Sequence, residues 1–217
     1  MPGRPDLAAV ILAAGRSARM GAFKPLLPFG PASVIEQVLS TVGEPGIETV
    51  RVVVGWNSHL LIPILEGRHV PWVRNERFAE GMFSSIQAGV RSLPIGIAAF
   101  FVFPSDMPLV RSVTLTLLIA EWDRRSGGIL HPCFEGRRGH PPLIAASYIP
   151  EILSECPPGG LRTLLARHAR DAREVECADP GILADLDTPE QYRQSLGKFG
   201  DVSGPAHPST SSQGERE

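Results

Sequence analysis

The chain has 217 residues, 43% of them apolar and 20% charged, with a formal net charge of -2. That length suits one domain with a full core, and that balance excludes a largely disordered chain. It also excludes a global field that would steer the protein to nucleic acid or an anionic membrane, so any anion site must be local.

In chain order, apolar runs alternate between strand-like and helix-like spacing. Leu7–Leu12 reads as a strand covered on both faces. Val34–Leu39 has helical spacing, and Val50–Val54 reads as a second buried strand ended by Gly55. Leu60–Glu66 is a short helix, provided that Pro63 lies in its first turn. His69–Val73 is a third strand. Ser84–Val90 is a helix with a serine at its start. Ile97–Phe103 is a fourth strand, followed by a helix over Val113–Trp122. Gly127–Leu130 and Pro142–Ala146 are strands joined by the basic loop Glu135–His140. Leu161–His168 is helical, Arg173–Cys177 a strand, and Pro189–Leu196 a final helix with proline at its first position. The alternation predicts a three-layer α/β/α domain on a mostly parallel twisted sheet, over residues 1–197. Residues 198–217 are expected to form a flexible polar tail.

Cys133, Cys156 and Cys177 are odd in number and show no CxxC spacing. A disulfide framework or structural zinc is therefore not expected, and idle thiols suit a reducing cytoplasm. The apolar run Leu7–Ala14 is too short to span a membrane and lacks the flank of a signal peptide.

The first strand runs into Gly15-Arg16-Ser17-Ala18-Arg19-Met20-Gly21-Ala22-Phe23-Lys24. Ligands bind at the carboxyl ends of strands in open α/β sheets. Glycines permit close backbone approach, backbone N–H groups can cradle phosphate oxygens, and Arg16, Arg19 and Lys24 add three cations. A solvated turn is the plainer reading of such a loop, but its position after a buried strand favours phosphate. The P-loop and Gly-x-Gly-x-x-Gly patterns are both absent.

The fourth strand ends in Ser105-Asp106-Met107-Pro108, which puts a carboxylate in the same crevice. A carboxylate beside phosphate-binding cations suggests Mg²⁺, although a turn aspartate reads the same way. Asp185 and Asp187 alternate on a strand-like segment, so only one faces the site; Asp187 is preferred, with Asp185 in reserve. Asp187 or Thr188 could instead cap the Pro189 helix.

Together these segments resemble one family. Leu12 to Gly21 with Lys24 looks like the signature loop of nucleotidyltransferases with a GT-A-like fold. Further pieces resemble the molybdenum cofactor cytidylyltransferases: Lys24-Pro25-Leu26-Leu27-Pro28, Asn75 with Phe78, Gly81-Met82-Phe83-Ser84-Ser85-Ile86, Ser105-Asp106-Met107-Pro108, Arg138-Gly139-His140-Pro141 and Asp185-Leu186-Asp187-Thr188-Pro189-Glu190. The resemblance spans residues 7–196. It implies a GT-A/Rossmann-like nucleotidyltransferase fold and transfer of CMP from CTP to molybdopterin. It implies that Leu12, Ala13, Ala14, Gly15, Gly81, Ser84 and Ser85 bind the nucleotide, and that Arg19 and Lys24 hold the triphosphate. Asp106 and Asp187 would bind Mg²⁺, and Arg138 and His140 would face the acceptor. A molybdoenzyme or its chaperone is the protein partner such an enzyme would serve; no nucleic acid or membrane partner is implied. Left open are GTP in place of CTP, a sugar or polyol phosphate as acceptor, and a non-catalytic molybdopterin carrier or insertion chaperone.

Overall fold

The computed structural model describes residues 4–203. Strand β1 (Arg4–Ala13) is followed by a small hairpin of β2 (Pro28–Phe29) and β3 (Ala32–Ser33). Next come α1 (Val34–Gly43), β4 (Ile47–Val54), α2 (Ser58–Gly67), β5 (Trp72–Arg74) and α3 (Met82–Arg91). The chain continues through β6 (Ala99–Pro104), α4 (Ser112–Arg124), β7 (Ile129–Phe134), β8 (Arg137–Arg138) and β9 (Leu143–Ala145). It ends with α5 (Ile149–Ser154), α6 (Leu161–Arg167), β10 (Ala172–Glu176) and α7 (Pro189–Ser203).

The main sheet has the order β10-β7-β9-β6-β1-β4-β5, with β8 paired to β7. β1 is parallel to β4 and β6, β4 to β5, and β7 to β10. β9 runs antiparallel between β6 and β7, so the sheet is mixed but mostly parallel, as the alternation predicts. Leu7 to Ile11 on β1 are 0% exposed, the mark of a central strand covered on both faces. α1 packs with α4, and α3 with α5, as the two helical layers. Among the described residues no helix is long and apolar enough to cross a membrane.

Four expectations shift. Pro63 lies inside α2 rather than in its first turn, because the helix already starts at Ser58. Gly81, with φ near +107°, sits at the start of α3 where a serine was expected; Ser84 and Ser85 are within the helix and buried. The segment 184–188 is irregular chain, not a strand. The last helix runs on to Ser203, past the expected end at Leu196 and across the expected boundary at 197/198; residues 204–217 of the expected tail lie outside the described residues.

At the start of α1, Glu36 accepts bonds from the Ser33 amide (2.8 Å) and hydroxyl (2.6 Å), a capping box, and from Arg68 Nε (3.1 Å). Ser33 first, then Arg68, hold the Glu36 carboxyl down at about 2. A depressed carboxyl stabilises the fold fully above its unfolded value near 4.5, and that contribution is lost as pH falls through about 2. Glu36→Gln is therefore expected to lower the Tm at neutral pH and to flatten its decline through this acid window. Parallel melting curves for variant and parent would contradict this.

Candidate active site

The tips of β1 and β6 and the irregular segment before α7 meet at one end of the sheet. Three contacts hold them there. The Ser105 amide donates to Leu12 O (3.1 Å), and the Leu186 amide donates to Asp106 O (3.0 Å). Met20, Phe29, Val34 and Leu186 form a small apolar cluster of their own. Burying Met20 and Leu186 together draws the first loop and the 185–187 segment to the same place. Within the loop, Ser17 takes a left-handed turn (φ 51°) and its hydroxyl accepts the Lys24 amide (3.2 Å). This bond aims Lys24 inward.

Lys24 is 8% exposed. Its ammonium donates to Asp106 Oδ2 at 2.9 Å and to Asp187 Oδ1 at 2.7 Å. Burial pulls the Lys24 pKa down, but Asp187 and Asp106 outweigh that and hold it above the usual lysine value. Arg19 reaches Asp187 Oδ2 at 2.7 Å from the solvent side. Lys24 first, with Arg19 adding to it, keeps the Asp187 carboxyl below its ordinary range. Asp185 behaves oppositely: burial, then the neighbouring Asp187 and Asp106 charges, raise it.

Thr188, not Asp187, caps α7: its hydroxyl accepts the Gln191 amide (3.3 Å). Gln191 Oε1 in turn accepts the Asp187 and Thr188 amides. The capping alternative thus falls to Thr188, and the Asp187 carboxylate is left for Lys24 and Arg19.

Beside the Lys24–Asp106 pair opens a cleft of about 330 Å³. Leu12, Ala13, Ala14 and Gly15 line it from the first loop, with Gly81 and Ser85 from the start of α3. Arg16 and Phe78 also line it. Ser84 does not. Its hydroxyl accepts from Asn75 Nδ2 (2.9 Å) and lies 2.8–2.9 Å from the Gly81 and Arg77 carbonyls, to which it donates. Buried Asn75 also donates to Ser85 Oγ (3.0 Å). Ser84 and Asn75 therefore shape the Phe78–Gly81 turn from behind, a position fixed by burial that the Ser-Ser pair alone could not reveal.

The expected acceptor side is split. His140 is placed by its amide, which donates to Ile182 O (2.9 Å). A side chain on Gly139 would strike that same carbonyl, at 2.4 Å, so glycine is required for the approach. Although His140 as a residue is exposed, protein crowds its imidazole; this lowers its pKa, while the charges of Asp106 and Asp185 pull the other way. His140 is thus an electrostatic neighbour of the carboxylates. Arg138 is turned aside to Glu174, with Nε 2.7 Å from its carboxylate, a long-range pair that sequence could not show. His131 of β7, not anticipated, is held at about 4 by burial and by the nearby Arg138 and His140 charges.

The family model described as MobA-like NTP transferase domain matches residues 9–173. The molybdenum cofactor cytidylyltransferase of Escherichia coli (strain K12) is 23% identical over 194 residues, covering 89% of this chain and 97% of that protein. A nucleotidyl transferase from Methanothermobacter thermautotroptrophicus superposes with a TM-score of 0.78 at 23% identity, covering 91% and 99% of the two chains. A Mycobacterium tuberculosis H37Rv protein solved in complex with manganese superposes with a TM-score of 0.72 at 21% identity, covering 88% and 98%.

Proposed function

Because this chain belongs to the family of MobA-like NTP transferase domains, we propose that it transfers CMP from CTP to the phosphate of molybdopterin and releases pyrophosphate. The observation that carries the reaction type is the convergence of Lys24, Asp106 and Asp187 beside a glycine-edged cleft. The choice of CTP and molybdopterin draws support from the Escherichia coli relative, whose name carries both the cofactor and the cytidylyl group.

The two carboxylates fit a divalent cation. They already converge on one cationic atom, the Lys24 ammonium. Among the described residues no group of three or more His, Cys, Asp or Glu could hold a metal by protein ligands alone. Two carboxylates completed by phosphate oxygens and water is the ligand set that suits Mg²⁺. Bound there, Mg²⁺ would supply charge neutralisation at the reacting phosphate.

The chain's own residues do the rest. The backbone of Leu12 to Gly15, with Gly81 and Ser85, holds the nucleoside. Lys24 and Arg19, released from the carboxylates, neutralise the triphosphate. An acceptor phosphate oxygen forms the new bond to the α-phosphorus; the bond to the bridging oxygen breaks, and pyrophosphate takes that electron pair. A phosphate monoester is already largely ionised near neutral pH, so no side-chain nucleophile or strong base is needed, and the work is alignment of two anions. His140, beside the carboxylates, lies toward the acceptor; Arg138 would have to leave Glu174 to join it. Two buried thiols and an exposed Cys156, all free, suit a reducing compartment, and we place the protein in the cytoplasm on that ground.

Pyrophosphate release with each NTP, Mg²⁺ and molybdopterin tests the reading. Release with CTP alone is expected. Preference for GTP would move the base assignment, release only with a sugar or polyol phosphate would move the acceptor, and silence with every NTP would favour a non-catalytic carrier.

A further inference from the structure

The corner after β4 is built around the first loop. The Trp56 amide donates to Ala14 O (3.1 Å). A Cβ on Gly55 would lie 2.8 Å from Ala14 Cβ and 2.9 Å from Phe78 Cβ, so only glycine lets the corner press so close. Yet Trp56 is 42% exposed and contributes little to the core. What it does hold is Arg16. The Arg16 guanidinium lies 5.6 Å from the Trp56 ring centre and 5.7 Å from that of Phe78, within cation–π range of both. The two rings are 6.3 Å apart. Arg16 and Phe78 both line the cleft.

Position says what this clamped cation can reach. β4 and β6 flank β1 on opposite sides, so the Trp56 corner and Asp106 stand two strand spacings apart, roughly 10 Å. With the reacting phosphate at Asp106 and the pyrophosphate portion at Lys24 and Arg19, the base must extend to the other end, toward Phe78, Gly81 and Ser85. A guanidinium there is a pure donor with a fixed fork. It matches a base edge that carries a carbonyl oxygen beside a ring nitrogen acceptor, as cytosine and guanine do and adenine does not.

We propose that Arg16, held on the Trp56–Phe78 shelf, is the residue that selects the nucleobase, favouring a base with a carbonyl oxygen beside a ring nitrogen acceptor, cytosine or guanine, over adenine. This rests on the nucleotidyl-transfer reading above. Binding of the four NTPs and of tripolyphosphate to the full chain, followed by calorimetry, tests it, with circular dichroism confirming that each variant is folded. Arg16→Ala should weaken the preferred NTP by about ten- to a hundredfold, the range of a charge-assisted hydrogen bond, while ATP and tripolyphosphate change little. Trp56→Leu should give a smaller loss of the same pattern. An equal loss for all NTPs and tripolyphosphate would make Arg16 a phosphate grip and overturn the inference, as would no loss at all. If the wild type binds no NTP, the transfer reading itself fails; if only the variant result fails, that reading stands and the role of Arg16 falls.

Discussion

Asp106→Asn is expected to lower turnover by about a thousandfold or more, corresponding to several kcal/mol of lost charge stabilisation at the reacting phosphate. The fold should survive. The segment is held by the Leu186 amide bonding to the Asp106 carbonyl, which the substitution keeps, and the Asp106 side chain is a quarter exposed rather than a core element. Asparagine also preserves shape and one acceptor oxygen for Lys24. The change in stability should stay within about 1 kcal/mol. Asp185→Asn is the control: its carboxylate shares the field of the site but makes no bond to Lys24, so its effect should be much smaller. Steady-state pyrophosphate release and a thermal melt on the same preparations check both halves. A turnover within tenfold of the parent would remove Asp106 from the reaction, and a collapsed melting temperature would recast it as structural.

Lys24→Met should damage activity and stability together. Methionine keeps the unbranched stem but removes the charge on which two carboxylates converge. Breaking one partner of a buried pair costs about 3–5 kcal/mol, but Asp106 and Asp187 retain enough solvent contact that about 2 kcal/mol is expected at neutral pH. The pH dependence carries the sign. Without the ammonium, Asp106 and Asp187 face each other, and like charges raise the pKa of one of them in the folded state. A raised carboxyl destabilises the fold at high pH, and the penalty fades as pH falls through the raised value. The Tm gap between variant and parent should therefore narrow from pH 8 to pH 5. A gap independent of pH would show that lost packing, not charge, was responsible. In activity, KM for the NTP should rise and turnover fall, since the same ammonium is assigned to the leaving pyrophosphate.

The two site predictions differ in how legible they were. Asp106 could be read locally, because an aromatic-rich buried strand ending in Pro104-Ser105-Asp106 puts its acid at a strand tip. Lys24 could be read as a loop cation. Its bond to Asp187, 163 residues away, could not. That meeting depends on Met20 and Leu186 burying each other and on Thr188 taking the cap, and neither is encoded in the pattern of one segment.

By itself, the sequence determined the alternation of strands and helices, the burial of β1 on both faces, the glycine-edged loop at its end and Asp106 at the end of β6. Those follow from the periodicity of apolar residues, which reports burial segment by segment. Only the tertiary structure decided that Asp187 rather than Asp185 bonds Lys24, that Ser84 supports the cleft from behind while Ser85 lines it, that Arg138 turns to Glu174, and that Trp56 clamps Arg16. In each case the outcome was set by what distant segments placed beside the side chain, and long-range contact leaves no trace in local spacing.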